Sequence, residues 1–364
     1  MQFPFEEALG RIGLSTKGLS ASYLGEGAWH TAYLLSTREH EALVLRVPKP
    51  VVYGAPFGDN EQEMLGEYAA RGLYYEHANR ALPGVCPDFF ASHAEPGLTF
   101  TIESYCGPTL SLQDTTRSDA VELGRQCGQF MAAMSRGEAP LRGFGFLGWQ
   151  EEGLAGEIQG DLQIYWHEEA NEYREQFKEL LQAGIPLQED IIRDKLEEAL
   201  RYRLGRTPRL ALTNRDISPE NIIVDNGRLR LIDPLPLQYD DHVFAGNLLN
   251  NFNTLFPSYD SSPRYAKHRF SSFRSQLNGF ADGFLAGYAE GDENVEYSVK
   301  VEEFLMLLDL ACHHAGLMDE EWSEGIRLRV GDRAAVKKRI PEYIRRLEQF
   351  EFEKGRSNNY GEKP

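Results

Sequence analysis

Positive charge is what this sequence has too little of. Lys and Arg number 38 against 56 Asp and Glu, a net charge of −18. Non-specific nucleic-acid binding needs clustered positive charge facing phosphates, so that class is set aside. At long range the field of such a chain repels anions and favours cations. Cysteine is scarce as well. Cys86, Cys106, Cys127 and Cys312 form no CxxC pair and no metal-ligand or disulfide spacing, which suits a reducing cytosol. No apolar run approaches the roughly 20 residues of a membrane span. The opening MQFPFEEALG has no basic segment ahead of an apolar run, so no secretory leader is expected. The expectation is a soluble cytoplasmic protein with neither nucleic acid nor membrane as partner.

Hydrophobic residues make up 41% of 364, enough to pack the core of two domains or of one domain with two lobes. The first hundred residues read mostly as strands: Ala21 to Leu24, Thr31 to Leu35, Ala42 to Val47 and Leu98 to Tyr105 are short runs of β-branched, aromatic and aliphatic residues between turns. One helix interrupts them from Glu61 to Arg80, with Met64, Tyr68, Leu73 and Tyr74 at roughly helical spacing. After Gly107-Pro108 the pattern turns helical: Ser118 to Arg136, Ile158 to Ala183, Glu189 to Arg203, then the rest from about Asp241 to Phe350. Short strands return only between Leu210 and Ile232. The chain thus divides into a β-rich part, residues 1–106, a larger helical part, residues 107–350, and a polar tail, residues 351–364, expected to fray.

The stretch LALTNRDISPENIIVDNGRLRLIDP, Leu210 to Pro234, carries the chemistry. Asn226-Gly227 between two alternating apolar runs is a strong hairpin signal, since both positions tolerate positive φ. A hairpin brings its open ends together, so Asn221 and Asp233 are expected to be neighbours. Two hard oxygen donors there suit a magnesium ion shared with phosphates. Asp216 precedes Asn221 by five positions on the loop that Pro219 stiffens. A carboxylate there can accept the proton of an attacking hydroxyl and orient it.

An Asp, an Asn five positions on, a hairpin and a second Asp together resemble the protein-kinase-like catalytic signature. More closely they resemble the aminoglycoside phosphotransferase and choline kinase branch, where the loop usually reads H-G-D-x-x-x-x-N and the metal motif I-D-x. Here these read Asn214-Arg215-Asp216 with Asn221, and Ile232-Asp233-Pro234. Asn214 departs from the family's His, which is largely structural there. The resemblance implies a bilobal α+β fold with ATP or GTP and Mg2+ bound between the lobes. It implies Asp216 as the catalytic aspartate, and Asn221 and Asp233 as magnesium ligands.

The resemblance also places the nucleotide side. Leu24 to Tyr33, with Gly25 and Gly27, looks like the phosphate-covering loop, though it lacks the third glycine of the kinase pattern; His30 or Thr31 would supply contacts instead. Arg46, on the next strand, is assigned as the phosphate-pairing cation, with Lys49 the fallback. Glu67 is expected to pair with it, with Glu63 one turn away. Glu103 and Tyr105 lie on the hinge strand, where the family's adenine contacts are mainly backbone groups.

On the acceptor side, Asp161, Glu168, Glu169, Glu172, Glu175, Trp166 and Tyr173 would suit a cationic acceptor such as an aminoglycoside, against the plainer reading of an amphipathic helix with a solvated acidic face. Asp240 and Asp241 read as structural, His313 and His314 as core or pocket wall, and Trp322 as a possible border of the pocket. The leading expectation is a small-molecule kinase. A protein kinase is the weaker reading, because helices resume where an activation loop would lie. The reading from another class is a nucleotide-binding pseudokinase, and the acceptors left open include choline-like amines, sugars and nucleosides.

Overall fold

The computed structural model describes residues 3–40, 42–52, 55–56, 61–137 and 139–352. A short helix, α1 (Phe5–Arg11), precedes the strands β1 (Ser20–Glu26), β2 (His30–Ser36), β3 (Leu43–Pro48), β4 (Val51–Val52) and β5 (Ala55–Pro56). Helix α2 (Glu61–Ala81) follows, then β6 (Phe90–Glu95) and β7 (Leu98–Ser104). Five of these strands form one antiparallel sheet, ordered β1-β2-β3-β7-β6. Its buried face packs Leu35, Leu45, Phe100 and Ile102 against α1 residues Ala8 and Leu9. Neither α1 nor β6 announces itself in the sequence.

Beyond Gly107-Pro108 come α3 (Arg117–Ser135), the hairpin β8 (Phe144–Gln150) and β9 (Gly153–Ile158), and helices α4 (Leu162–Gln182) and α5 (Glu189–Gly205). Helix α4 starts later than its sequence pattern suggests, because Gly160 has φ 127° and Asp161 then caps the helix by accepting from Gln163 N–H at 2.7 Å. Next are β10 (Leu210–Asn214), the hairpin β11 (Ile222–Asp225) and β12 (Arg228–Leu231), and β13 (Pro236–Asp240). The helices α6 (Asp241–Asn250), α7 (Phe256–Ser258), α8 (Arg274–Ala289), α9 (Glu293–Gly316), α10 (Glu324–Val330) and α11 (Arg333–Glu348) complete a mostly helical second part. The fold is therefore α+β, a small sheet followed by a larger helical body, as the sequence pattern leads one to expect.

Two features of the helical body bear on the site. Helices α3 and α8 approach through glycines four residues apart, Gly124 and Gly128 against Gly283 and Gly287. A Cβ at Gly128 would overlap the Phe284 carbonyl oxygen, and one at Gly283 the Val121 carbonyl oxygen. From this seat α3 reaches the β11–β12 hairpin: Gln126 donates to the Gly227 carbonyl at 3.1 Å and accepts from Leu229 N–H at 3.0 Å. At the chain's far end, Phe352 packs against Phe304 and Phe350 with ring centroids 5.4 Å apart, so the helical body reaches two residues into the expected tail. The rest of that tail, 353–364, lies outside the described residues. No helix among the described residues is long and apolar enough to cross a membrane.

His314 is fully buried. Its Nδ1 lies 2.8 Å from the Leu310 carbonyl and its Nε2 3.2 Å from the Tyr259 hydroxyl. Burial, first among the causes, lowers its pKa to about 3, and its exposed neighbour His313 faces solvent.

Two expectations follow from this packing. Gly128→Ala forces backbone apart and should lower the unfolding free energy by about 2–3 kcal/mol in urea titrations; an unchanged midpoint would contradict the close approach. His314 is neutral when folded and ordinary when unfolded, so its contribution is full above pH 6.5 and falls as pH drops toward 3. Between pH 7 and 5 that loss is about 2 kcal/mol. His314→Asn should flatten the stability–pH curve by that amount in the same window.

Candidate active site

The two parts meet at a cleft of about 850 Å³. Its floor is the hairpin anticipated from Asn226-Gly227, which sit at φ 51° and 76°. Strands β11 and β12 pair Ile222 with Leu231, and the Ile232 N–H donates to the Asn221 carbonyl at 3.0 Å. Asn221 and Asp233 are thus adjacent at the open end. Across the cleft, the Leu110 N–H donates to the Ile222 carbonyl at 2.7 Å, tying the segment after Gly107-Pro108 to the same hairpin.

Asp216 faces Asn221 directly. The Asn221 Nδ2 donates to Asp216 Oδ2 at 2.9 Å and to its carbonyl at 3.0 Å. Asp216 opens onto the cleft, yet protein crowds it on the other sides, and the crowding outweighs the opening. Burial first, and the Asp233 charge second, push its pKa up to about 6. Asn214, at the position of the family's His, is buried and braces the loop. Its Oδ1 accepts from the backbone N–H groups of Asp216 and Leu235, both at 2.9 Å.

Asp233 sits at φ 49°, a left-handed backbone costing about 1–2 kcal/mol in a residue with a Cβ. Its surroundings hold it there. The backbone N–H donates to the Tyr75 hydroxyl at 3.1 Å, and that hydroxyl donates to Glu103 Oε2 at 3.0 Å. Arg71 Nη1 lies 2.8 Å from Asp233 Oδ1, and Arg46 Nη1 lies 4.0 Å from Oδ2. Burial works to raise the Asp233 carboxyl, but Arg71 and Arg46 overcome it and hold it near 2.

The partner of Arg46 corrects the sequence reading. Arg46 donates through Nε and Nη2 to Glu103 Oε1, at 3.1 and 2.9 Å, whereas Glu67 accepts from Arg71 at 3.2 Å on its own helix. The sheet register explains this. Val44 lies opposite Glu103, and Arg46 projects from the same face two residues on, a diagonal neighbour within reach of long side chains. Glu103 is therefore a buried carboxylate rather than only a backbone position. The residues the sequence reading missed, Arg71 and Tyr75, follow Glu67 at successive i+4 positions on α2. That spacing was the available signal.

Gly25, Gly27, His30, Tyr105 and Arg46 line the cleft; Thr31 and Glu67 do not. Neither Gly25 nor Gly27 has a left-handed φ, and a Cβ at either would meet nothing within 4 Å. His30 is buried with Nε2 unpartnered; burial, then Arg71, lowers its pKa to about 4. Lys49 pairs instead with Glu26 at 2.9 Å.

The acidic helix does not reach the cleft. Trp166 and Tyr173 are buried. Glu169 lies 2.6 Å from Arg203, whose guanidinium lies 4.9 Å from the Trp166 ring, and Glu168, Glu172 and Glu175 face solvent. Trp166 and Tyr173 are core, so these two aromatics offer no face to an acceptor. Asp240 is buried, accepts from both Arg206 Nη groups at 2.6 and 2.7 Å, and caps α6. Asp241 accepts from Tyr288 at 2.7 Å. Trp322 donates to the Leu317 carbonyl at 2.6 Å, away from the cleft.

Magnesium fits the donor set. With Nδ2 of Asn221 committed to Asp216, its Oδ1 remains to ligate, beside a carboxylate held ionised. Among the described residues no cluster of three His, Cys, Asp or Glu forms a metal cage, and a magnesium ion shared with phosphates needs only one or two protein oxygens.

Glu103→Ala would leave Arg46 without its carboxylate and should destabilise the fold by about 3 kcal/mol or more. Glu67→Ala removes an exposed carboxylate from Arg71, which keeps Asp233, and should lose under about 1 kcal/mol. Urea unfolding of both variants checks the assignment, and the reverse order would restore Glu67 as the partner.

No curated protein matches the sequence. The structure is similar to a thermostable mutant of aminoglycoside phosphotransferase APH(4)-Ia in ternary complex with ADP and hygromycin B: TM-score 0.53, 15% identity, 93% of this chain and 97% of that one covered. It is similar too to amicoumacin kinase in complex with AMP-PNP, Ca2+ and Ami: TM-score 0.50, 13% identity, 96% of each chain covered. At such identities the likeness shows the fold. The family model described as "Phosphotransferase enzyme family" matches residues 20–241, more than half of the chain and all of the hairpin, loop and Arg46 strand described above; the chain belongs to that family.

Proposed function

We propose that the chain transfers the γ-phosphate of ATP or GTP to a hydroxyl of a small molecule, with Asp216 as catalytic base. The observation that carries this reading is the set at the cleft floor: Asn221 holding Asp216 at 2.9 Å, next to an Asp233 kept ionised by two arginines. The nucleotide complexes of the two relatives, with ADP and with AMP-PNP, support a nucleotide in the corresponding cleft.

The residues divide the work. Backbone groups near Tyr105 face the base. The open sides of Gly25 and Gly27 let the β1–β2 turn come close to the phosphates, since neither backbone conformation nor internal packing requires glycine there. Arg46, fixed by Glu103, is aimed at phosphate oxygens. Asn221 Oδ1 and Asp233 would hold magnesium, which neutralises phosphate charge when bound. Asp216 accepts the proton as the acceptor oxygen bonds to the γ-phosphorus. The bond from that phosphorus to the β–γ bridging oxygen breaks, and its electron pair leaves on the nucleoside diphosphate. A carboxyl titrating near 6 is mostly ionised at pH 7 yet more basic than an ordinary Asp, which suits this step.

Asp216→Ala should lower acceptor-stimulated nucleotide consumption by about 10³-fold while nucleotide affinity stays within a few-fold. Asp233→Ala should abolish magnesium-dependent turnover. Assays of ATP and GTP consumption against a panel of hydroxyl compounds check both. Turnover unchanged in Asp216→Ala would contradict the assignment.

A further inference from the structure

The cleft has a wall that this chemistry leaves unused. Residues 259–273, between α7 and α8, form turns and two short 3₁₀ helices, Ala266–His268 and Phe270–Phe273, and they bring Arg264, Lys267 and His268 to the cleft that Asp216 also lines. All three meet one carboxylate. Glu220 lies 2.8 Å from Arg264, 3.0 Å from His268 and 3.8 Å from Lys267. Two permanent cations and an imidazole thus gather around Glu220, in a chain whose net charge is −18. In a protein that otherwise repels anions, such a concentration is a local exception.

The wall is built in place. Arg339, buried beneath it, donates to the Ser258 and Val330 carbonyls and to Ser261 Oγ at 2.8, 2.6 and 2.7 Å. Phe270 is buried in the core, and the His268 ring stacks on it with centroids 4.9 Å apart. The Arg264 guanidinium lies 5.1 Å from the Tyr265 ring. Its charge is felt at Asp216 and Asp233 alike.

We infer that this wall is an anion subsite for the acceptor: Arg264 and Lys267 hold a carboxylate or phosphate of a hydroxyl-bearing small molecule whose hydroxyl faces Asp216. The inference deepens the phosphotransferase reading and rests on it. It replaces the cationic acceptor suggested by the composition of α4. Guanidinium and ammonium groups on a preformed wall suit either anion, the guanidinium in two-point contact.

The test titrates the full-length protein, saturated with magnesium and a non-hydrolysable ATP analogue, with four three-carbon probes in a calorimeter. These are glycerate, glycerol 3-phosphate, glycerol and 3-aminopropane-1,2-diol. At least one anion should bind about tenfold or more tightly than glycerol or the amine, and which anion wins identifies carboxylate or phosphate as the group read. Lys267→Gln and Arg264→Gln should each weaken that anion several-fold with nucleotide affinity unchanged. Lys267, 60% exposed, can be replaced without disturbing the fold. The inference is overturned if no anion binds, if glycerol or the amine binds as well, or if Lys267→Gln weakens the nucleotide instead of the probe. Lys267-dependent anion binding with no phosphate transfer to any hydroxyl compound would sink the phosphotransferase reading and leave the subsite standing. Transfer to glycerol or the amine without anion preference would do the reverse.

Discussion

The ion cluster around Asp233 is the constraint on which the site depends. Its carboxylate lies between Arg71 from α2 and Arg46 from the sheet, and its backbone N–H donates to Tyr75. Tyr75 and Arg46 converge in turn on Glu103, so the contacts close a ring through three elements of the N-terminal part and one loop of the C-terminal part. A strained left-handed backbone at a functional residue persists only where its surroundings over-determine it, and here they do. Removing one member of such a buried set leaves a charge without compensation, so the ring fixes how the sheet faces the hairpin.

A second brace lies beneath it. Asn214 gathers the N–H groups of Asp216 and Leu235 on one amide oxygen, so the loop and the strand after Asp233 keep their spacing. This accounts for the departure from the family's His. An acceptor for two backbone donors is needed there, and an amide serves. Further from the cleft, Arg206 joins Asp240 to Glu302, at 2.6 and 3.0 Å, locking the start of α6 to α9. Of the acids of α4, Glu169 is taken up by Arg203, and Glu168 and Glu172 lie in solvent.

How much of this was legible in the sequence varied with the range of the interaction. The hairpin, its Asn-Gly turn and the meeting of Asn221 with Asp233 are local, and local turn chemistry gave them away. Arg46 could be placed on its strand by alternation, but its partner could not, because the choice between Glu67 and Glu103 depends on strand register between distant segments. The stripe Glu67, Arg71 and Tyr75 was readable as helical spacing, yet nothing local says what it faces. Residues 259–273 read as part of a helical run, whereas the structure has turns and two short 3₁₀ helices there. They lack periodicity, and their position is set by Arg339, many residues later. The β8–β9 hairpin escaped for a related reason: its glycines interrupt the alternation that marks a strand.

The most direct test follows the phosphoryl group itself. The full-length protein is incubated with magnesium and ATP or GTP carrying ¹⁸O in the γ-phosphate, together with a mixture of small hydroxyl-bearing metabolites, and the label is traced by mass spectrometry. Label in a phosphate ester of a small molecule, formed by the wild-type chain and not without magnesium, is the expected result. Nucleotide that binds but keeps its label, or releases it only as inorganic phosphate, would contradict the account.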